Sequence, residues 1–406
     1  MIELYKNDEE CCGCGACEAV CPKKLIQMQI NKEGFFYPYI SDSNSCINCK
    51  KCLSVCPMKQ ENKQQSLKKN IFAIVTQDDL LWKNSSSGGA FTELCRTFNK
   101  EELYIFGAKW EGLDVVMDYV KSAEEISPFN KSKYVEANPN KVFEKVKIFL
   151  DEGKSVVFSG TPCQCNGLQF FLNKKYENLF LIDFACHGQG SIKIFHKWIE
   201  YLNHYYKNKV VSFCFREKKL IFDHVNSNCC SYTFEDGKKI IKTRDYYHHA
   251  YVKGLCMRKS CINCKFADNR VSDITLADFK NLRQGLPHYK GKKNVSTVIV
   301  NSEKGEKSFK RLQNVKIFKP DPAFVYKKNP KLKYCRPGNP ARDTFIDMVI
   351  NQDKDIRKCI KKFARINMME LIEYNCPTFV SSFFNLFFYP IKIMNVIIKK
   401  IQRKRK

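Results

Sequence analysis

Short apolar runs alternate with stretches of helical length through the middle of the chain. Ile71–Thr76, Ser155–Ser159 and Leu179–Phe184 are of strand length and almost wholly apolar, so they are expected as buried strands. Tyr104–Trp110 and Val115–Val120 are read the same way. Helices are expected over Ala90–Phe98 and Lys141–Glu152. Another should run from an N-cap at Thr161, with Pro162 in the first turn, to about Leu172. A fourth is capped by Ser191 and continues to about Tyr206. Strand and helix in alternation predict an α/β unit with a mainly parallel sheet, whose ligands gather beyond the carboxyl ends of the strands.

The remaining pattern is less uniform. Residues 210–245 predict antiparallel additions: Val210–Phe215, Leu220–Val225, Ser231–Phe234 and Lys239–Thr243, the last two around an Asp236-Gly237 turn. Asp273–Asp278 and Val295–Asn301 are expected as strands and Gly305–Leu312 as a short helix. Residues 320–345 read as proline-rich connection and 341–375 as two helices. Near the start, Leu25–Ile30 and Phe35–Ile40 are expected as two short strands joined at Asn31–Gly34.

Cysteine spacing changes the picture of that first region. Cys11-x-x-Cys14-x-x-Cys17-x-x-x-Cys21-Pro22 recurs as Cys46-x-x-Cys49-x-x-Cys52-x-x-x-Cys56-Pro57. This is the bacterial-ferredoxin spacing for two 4Fe–4S clusters, in which the fourth cysteine of each run completes the other cluster. Cys11, Cys14, Cys17 and Cys56 are therefore assigned to one cluster, and Cys46, Cys49, Cys52 and Cys21 to the other. Zinc sites use cysteine pairs at longer separation, and disulfides belong to oxidising compartments. Cys12 lies outside the pattern and is read as a spectator.

The expected fold class is α+β. A small two-cluster ferredoxin-like module (1–60) and a polar linker (61–70) precede an α/β domain with a mainly parallel sheet and antiparallel additions (71–320). A helical C-terminal region with an apolar and basic tail follows (321–406). The acidic, polar start at Met1–Glu10 has no signal-peptide pattern, and the 22 cysteines fit a reducing, cytoplasmic setting.

The formal net charge of +27 could serve nucleic acid, an anionic membrane or an acidic partner. No basic stripe with interleaved aromatics supports a nucleic-acid reader, so no nucleic-acid partner is expected. Phe379–Ile398 is apolar but broken by Pro390 and Lys392, and the end at Lys406 is strongly basic. It reads as an amphipathic anchor on an anionic membrane, peripheral at the inner face, or as a terminal helix packed on the protein with a basic tail.

Two further groups carry candidate chemistry. Cys163 and Cys186 each follow a predicted strand, and Cys261-x-x-Cys264 is a metal- or redox-type pair. The four are a third metal site or buried inert thiols. Ser85–Gly89 leads into a helix and is an anion site or a plain cap. His187, beside Cys186, is a proton donor or a structural histidine.

The same residues carry a family likeness. SSSGGAFT (Ser85–Thr92), KSKYV (Lys131–Val135), FSGTPCQCNGL (Phe158–Leu168), DFACHGQGS (Asp183–Ser191) and CINCKFADNRVSDITLAD (Cys261–Asp278) occur in that order. Over residues 1–315 the chain resembles the coenzyme F420 hydrogenase/dehydrogenase beta-subunit family. The resemblance implies FAD or a related flavin or deazaflavin, and a third 4Fe–4S cluster on Cys163, Cys186, Cys261 and Cys264. Ser86, Ser87, Gly88, Gly89, Lys133, Gly160 and Thr161 are the flavin-phosphate candidates.

The implied function is an iron–sulfur flavoprotein oxidoreductase relaying electrons between clusters and flavin, with a role in surface-polysaccharide metabolism. Its partner would be a redox protein or a ferredoxin-like electron donor. The alternative is a flavin-free electron-transfer subunit docked on a larger redox enzyme. One departure stands out: where the family continues Gly-Asp-Phe-Trp-Gly, this chain has Ala277-Asp278-Phe279-Lys280-Asn281.

Overall fold

A computed structural model describes residues 2–60, 70–98, 101–221 and 224–366. The N-terminal region holds helix α1 (Ala16–Val20), strands β1 (Ile26–Ile30) and β2 (Phe36–Ile40), and helix α2 (Lys51–Ser54). β1 and β2 pair antiparallel, Ile26 opposite Ile40 and Ile30 opposite Phe36. So small a hairpin with two single-turn helices buries little on its own, and it rests on what lies behind it.

Behind it come β3 (Asn70–Thr76), α3 (Asp79–Lys83), α4 (Ala90–Cys95), β4 (Leu103–Glu111), β5 (Asp114–Val120), α5 (Val142–Asp151) and β6 (Ser155–Ser159). The chain continues through α6 (Pro162–Leu172), β7 (Leu179–Phe184), α7 (Ile192–Tyr206), β8 (Val210–Ile221), β9 (His224–Phe234), β10 (Lys239–Lys242) and α8 (Tyr246–Lys253). The last described elements are β11 (Ile274–Asp278), α9 (Leu282–Gly285), β12 (Ser296–Val300), α10 (Glu303–Lys310), β13 (Val315–Phe318), α11 (Pro322–Lys328), α12 (Arg342–Ile350) and α13 (Ile356–Phe363).

The central sheet has the order β13-β3-β12-β11-β7-β6-β4-β5. β4, β6, β7 and β11 are mutually parallel neighbours in turn, and β12 runs against both β11 and β3. β3, β11, β7, β6 and β4 therefore share one direction, and their carboxyl ends line one edge. β8, β9 and β10 form a separate antiparallel sheet.

Alternation along the strands sets the two faces. Val156 and Phe158 of β6 pack with Phe143 of α5 and Leu168 of α6, whereas Val157 joins Leu94 and Phe309 on the other side. The first of these cores also contains Cys12, Cys14, Ala16 and Val55, so the N-terminal region shares a hydrophobic core with the sheet domain. A third core joins Phe195 and Trp198 of α7 to Phe213 and Phe215 of β8 and to Phe345 and Ile360 of the last helices.

Several expected elements differ in extent. Leu220–Val225, expected as a strand of its own, is instead divided between the two long strands β8 and β9, where Leu220 pairs with Val225 and Ile221 with His224. The connection expected over 320–345 contains α11, started by Asp321, whose carboxylate accepts from the N–H groups of Ala323 and Phe324. Among the described residues no helix is long and apolar enough to cross a membrane. The apolar and basic tail, Phe379–Lys406, and the linker 61–69 lie outside the described residues.

Candidate iron–sulfur centres and the crevice behind them

The two cysteine runs adopt the same backbone. Gly13 and Asn48, which precede Cys14 and Cys49, have φ of 71° and 53°. Gly15 and Lys50, which follow them, have φ of 84° and 59°. Left-handed residues set among right-handed ones turn successive N–H groups to one side, the concave arrangement that receives sulfide and other anions.

Two hollows open beside these runs. Cys46, Cys49, Cys52 and Cys21 line one. Cys11, Cys14, Cys17 and Cys56 line the other, with Cys52 on their common wall. Burial pushes the Cys17 thiol well above its ordinary range, and Cys11 is raised for the same leading reason. Free thiols so placed stay protonated, and iron is what makes such groups give up their protons. Among the described residues no trio of Cys, His, Asp and Glu converges as a single-ion site. A lone zinc ion needs sulfurs about 2.3 Å from the metal, whereas a cubane keeps its thiolates apart at its corners.

The cysteines of the first run are packed against the sheet domain. A Cβ on Gly167 of α6 would stand 2.7 Å from Cys14 Sγ and 3.0 Å from its Cβ. Gly167→Ala is therefore expected to push Cys14 off its position, costing about 1–3 kcal/mol and lowering the iron retained after anoxic gel filtration. A Cβ on Gly13 would meet Glu136 Oε1 at 2.6 Å and Arg258 Nη1 at 2.9 Å. Arg258 and Glu136 form an ion pair of 2.8 Å at 0% and 1% side-chain exposure. Arg258 also donates to the carbonyls of Cys11 (2.8 Å) and Phe36 (3.0 Å) and lies 3.9 Å over the Tyr37 ring. Glu136 accepts from Phe36 N–H at 2.9 Å.

Cys163, Cys186, Cys261 and Cys264 come from three segments and meet at the carboxyl edge of the sheet. Cys163 opens α6 after β6, Cys186 follows β7, and Cys261 closes a 3-10 turn, Lys259–Cys261. Cys163 is close enough to raise the other three thiols, and Cys186 and Cys264 both raise Cys261. Burial, the leading cause, takes Cys186 to about 12 and Cys264 to about 11. Backbone N–H groups of Gly188 and Gln189 point at Cys186 Sγ and Cys261 Sγ, both at 3.4 Å. Thr161 Oγ1 lies 3.1 Å from Cys163 Sγ.

Cys12, read from sequence as a spectator, is buried between the groups, within hydrogen-bond reach of both Cys14 and Cys163. His187 Nε2 lies 2.7 Å from Arg336 Nη1 and 3.2 Å from the Val252 carbonyl. Burial first, then Lys331 and Arg336, hold its pKa at about 3, so the ring is neutral at ordinary pH.

The flavin-phosphate candidates lie along the same edge, and most of their polar atoms are engaged within the protein. Ser86 Oγ meets Ser132 Oγ at 2.9 Å, and Ser87 Oγ donates to the Val295 carbonyl at 2.7 Å. Gly88 N–H donates to Ser296 Oγ, and a Cβ on Gly88 would come within 2.3 Å of the Ile74 carbonyl oxygen. Gly89, at φ 86°, is the N-cap of α4. Lys133 Nζ donates to the carbonyls of Pro128 and Asn130 at 3.0 Å and of Lys131 at 3.3 Å. Gly160 leads into Thr161, which caps α6 in a reciprocal box with Gln164.

Two residues not singled out from sequence dominate this crevice. Arg216 reaches from β8 to Asp278 (3.0 Å), the Ser86 carbonyl (2.9 Å) and Tyr134 Oη (3.1 Å). Lys218, two positions on, donates to the Ser87 carbonyl at 2.7 Å and lies 4.0 Å over the Trp82 ring. Burial lowers Lys133 and Lys218 to about 7 and Lys331 to about 8. The only sequence signal was the alternation in Phe215-Arg-Glu-Lys-Lys219.

The departure at 277–281 also becomes legible. Asp278 receives Arg216, and the Phe279 ring lies 6.3 Å from that of Phe324. Asn281 keeps a left-handed backbone, φ 55°, where the family has glycine. Lys280 stands where the family has tryptophan, 3.5 Å from Asp278.

Paired thiol hollows on an anion-binding backbone, docked against an α/β sheet domain, define an iron–sulfur electron-transfer protein. Comparison with known families places both parts. Residues 10–60 match the 4Fe-4S dicluster domain, and residues 153–323 match the C terminus of the coenzyme F420 hydrogenase/dehydrogenase beta subunit. The chain thus joins a 4Fe-4S dicluster domain to the C-terminal domain that marks the beta subunit of the coenzyme F420 hydrogenases and dehydrogenases. Among solved structures it is similar to a chain of the F420-reducing [NiFe] hydrogenase complex from Methanosarcina barkeri, determined in a xenon-derivatization study. That likeness has 14% identity and a TM-score of 0.43, over 65% of this chain and 88% of the other. No curated protein matches the chain.

Proposed function

We propose that the protein is an iron–sulfur flavoprotein oxidoreductase, relaying electrons between the N-terminal clusters and a flavin or deazaflavin by way of a third 4Fe–4S cluster. The observation that carries this reading is the meeting of Cys163, Cys186, Cys261 and Cys264 at one sheet edge, with Cys12 spanning from Cys163 to Cys14. These four thiols would hold the third cluster, with Gly188 and Gln189 N–H groups directed at two of the sulfurs. Clusters and flavin together supply one-electron and hydride chemistry.

The chain's own residues hold, space and shield these groups. Ser86–Gly89, Lys133, Gly160 and Thr161 shape the carboxyl edge where α/β sheets take their ligands. Arg216, paired with Asp278, and the half-buried Lys218 and Lys331 add basic groups suited to a flavin's phosphates. Lys280, in place of an aromatic ring, removes one stacking surface and so alters what the crevice accepts.

One observation favours the flavin-free alternative. The hydroxyls of Ser86, Ser87 and Thr161 and the Lys133 ammonium are all engaged by protein partners. Anoxic isolation followed by iron, sulfide and flavin assays decides between the readings. About twelve irons per chain with flavin is the expected result, and about eight with no flavin would favour an electron-transfer subunit. A colourless, iron-free chain would overturn both.

A further inference from the structure

The two cysteine runs share one backbone but not one environment. In the first run, both left-handed positions are glycine because a side chain has nowhere to go. A Cβ at Gly13 would strike Glu136 and Arg258, and one at Gly15 would stand 2.9 Å from Pro139 Cβ. In the second run the same positions are Asn48 and Lys50, both exposed. Asparagine and lysine tolerate the strain of a positive φ there and keep their side chains in water.

The backbone of the first run is therefore packed against Arg258, Glu136 and Pro139, with Gly167 against Cys14. The second run carries exposed side chains at the matching positions. Cys49 is exposed, and Ile47, between Cys46 and Cys49, is 57% exposed. Lys23, Lys24, Lys50 and Lys51 are all exposed in the same two ligand-bearing segments. Lys24 also reaches Glu144 at 2.7 Å. Asp42, the neighbouring acid, directs its carboxylate to Ser45 and to the N–H groups of Asn44 and Ser45.

We infer that the face around Cys21, Cys46, Cys49 and Cys52 is the docking surface for a small acidic one-electron carrier protein. This rests on the proposed iron–sulfur reading and assigns its outer end. An exposed apolar side chain at Ile47, in segments that also expose Lys23, Lys50 and Lys51, complements an acidic partner, and a chain of net charge +27 attracts one from a distance. Electron exchange needs close approach rather than a large interface, and an exposed ligand thiol beside an apolar contact provides it.

The test uses the full-length holoprotein, anoxic, in stopped-flow mixing with a reduced acidic ferredoxin over a salt series. The wild-type bimolecular rate is expected to fall about tenfold from low to high salt. Lys23→Glu/Lys51→Glu is expected to lose about tenfold at low salt and to lose the salt dependence, with iron content and reduction by dithionite unchanged. Lys23→Arg/Lys51→Arg should behave as wild type. A fully iron-loaded protein whose rate ignores salt, or a charge-reversed variant as fast as wild type, overturns the docking surface alone. A basic carrier reacting faster than the acidic one overturns it too. An iron-free wild type would overturn the parent reading first and this one with it.

Discussion

Replacing Arg258 with methionine is expected to destabilise the protein by about 3–5 kcal/mol, the range found when one member of a buried ion pair is removed. Arg258 is at 0% exposure and Glu136 at 1%, and water cannot take the place of the lost partner. The loss also strands the carbonyls of Cys11 and Phe36, each of which accepts from the guanidinium. Denaturant unfolding under anoxic conditions measures the effect. Arg258→Met/Glu136→Gln should recover much of the deficit, because it leaves no uncompensated charge.

The pH dependence has a definite sign. Burial raises Glu136 to about 7 even against Arg258 and Phe36 N–H, which pull it down. Removing Arg258 raises it further, and a carboxyl raised in the folded state contributes stability at low pH that is lost as pH climbs through the folded value. The single variant's deficit should therefore shrink below about pH 7 and widen above it. A deficit independent of pH would mean that Glu136 finds another partner.

Much of the fold was legible because local pattern and burial coincide. Ser155–Ser159, Leu179–Phe184 and the helix from Thr161 to Leu172 are bounded by their own caps and turns, and the structure places them at those residues. At Leu220–Val225 the reading failed: its described residues are divided between β8 and β9, Leu220 opposite Val225 and Ile221 opposite His224, in a register set by pairing over Val210–Phe234. β13 pairs with β3 at the sheet's outer edge, and its burial does not alternate, so its pattern gives little periodic signal.

The candidate site divides along the same line. A ligand run such as Cys11–Cys21 is local, and its spacing survives in one dimension. Arg258 and Glu136 lie 122 residues apart and look like any arginine and glutamate until the fold brings them together. Cys12 has no spacing to mark it, and only the packing of α1 on α6 shows it between two thiol groups. Arg216 and Lys218 belong to an ordinary-looking charged strand. Their meaning comes from the Ser86 and Ser87 carbonyls, which stand 130 and 131 residues earlier in the chain.

Changing Cys261 and Cys264 together to serine is expected to lower bound iron from about twelve to about eight per chain, with the N-terminal clusters intact. Serine nearly preserves volume, so inert buried cysteines would tolerate the change at a cost of about 1–2 kcal/mol and with no loss of iron. A ligand pair cannot, because two of four corners are lost and the Gln189 N–H group loses the sulfur it faces. The double variant should still be reduced by dithionite and show the electron paramagnetic resonance of the N-terminal pair. Its electron transfer to the crevice behind should fall by more than about 100-fold, the scale of loss when a fixed site loses its holding groups. Iron unchanged in this variant would remove the third centre, and Cys163 and Cys186 would then be structural thiols beside a two-cluster module.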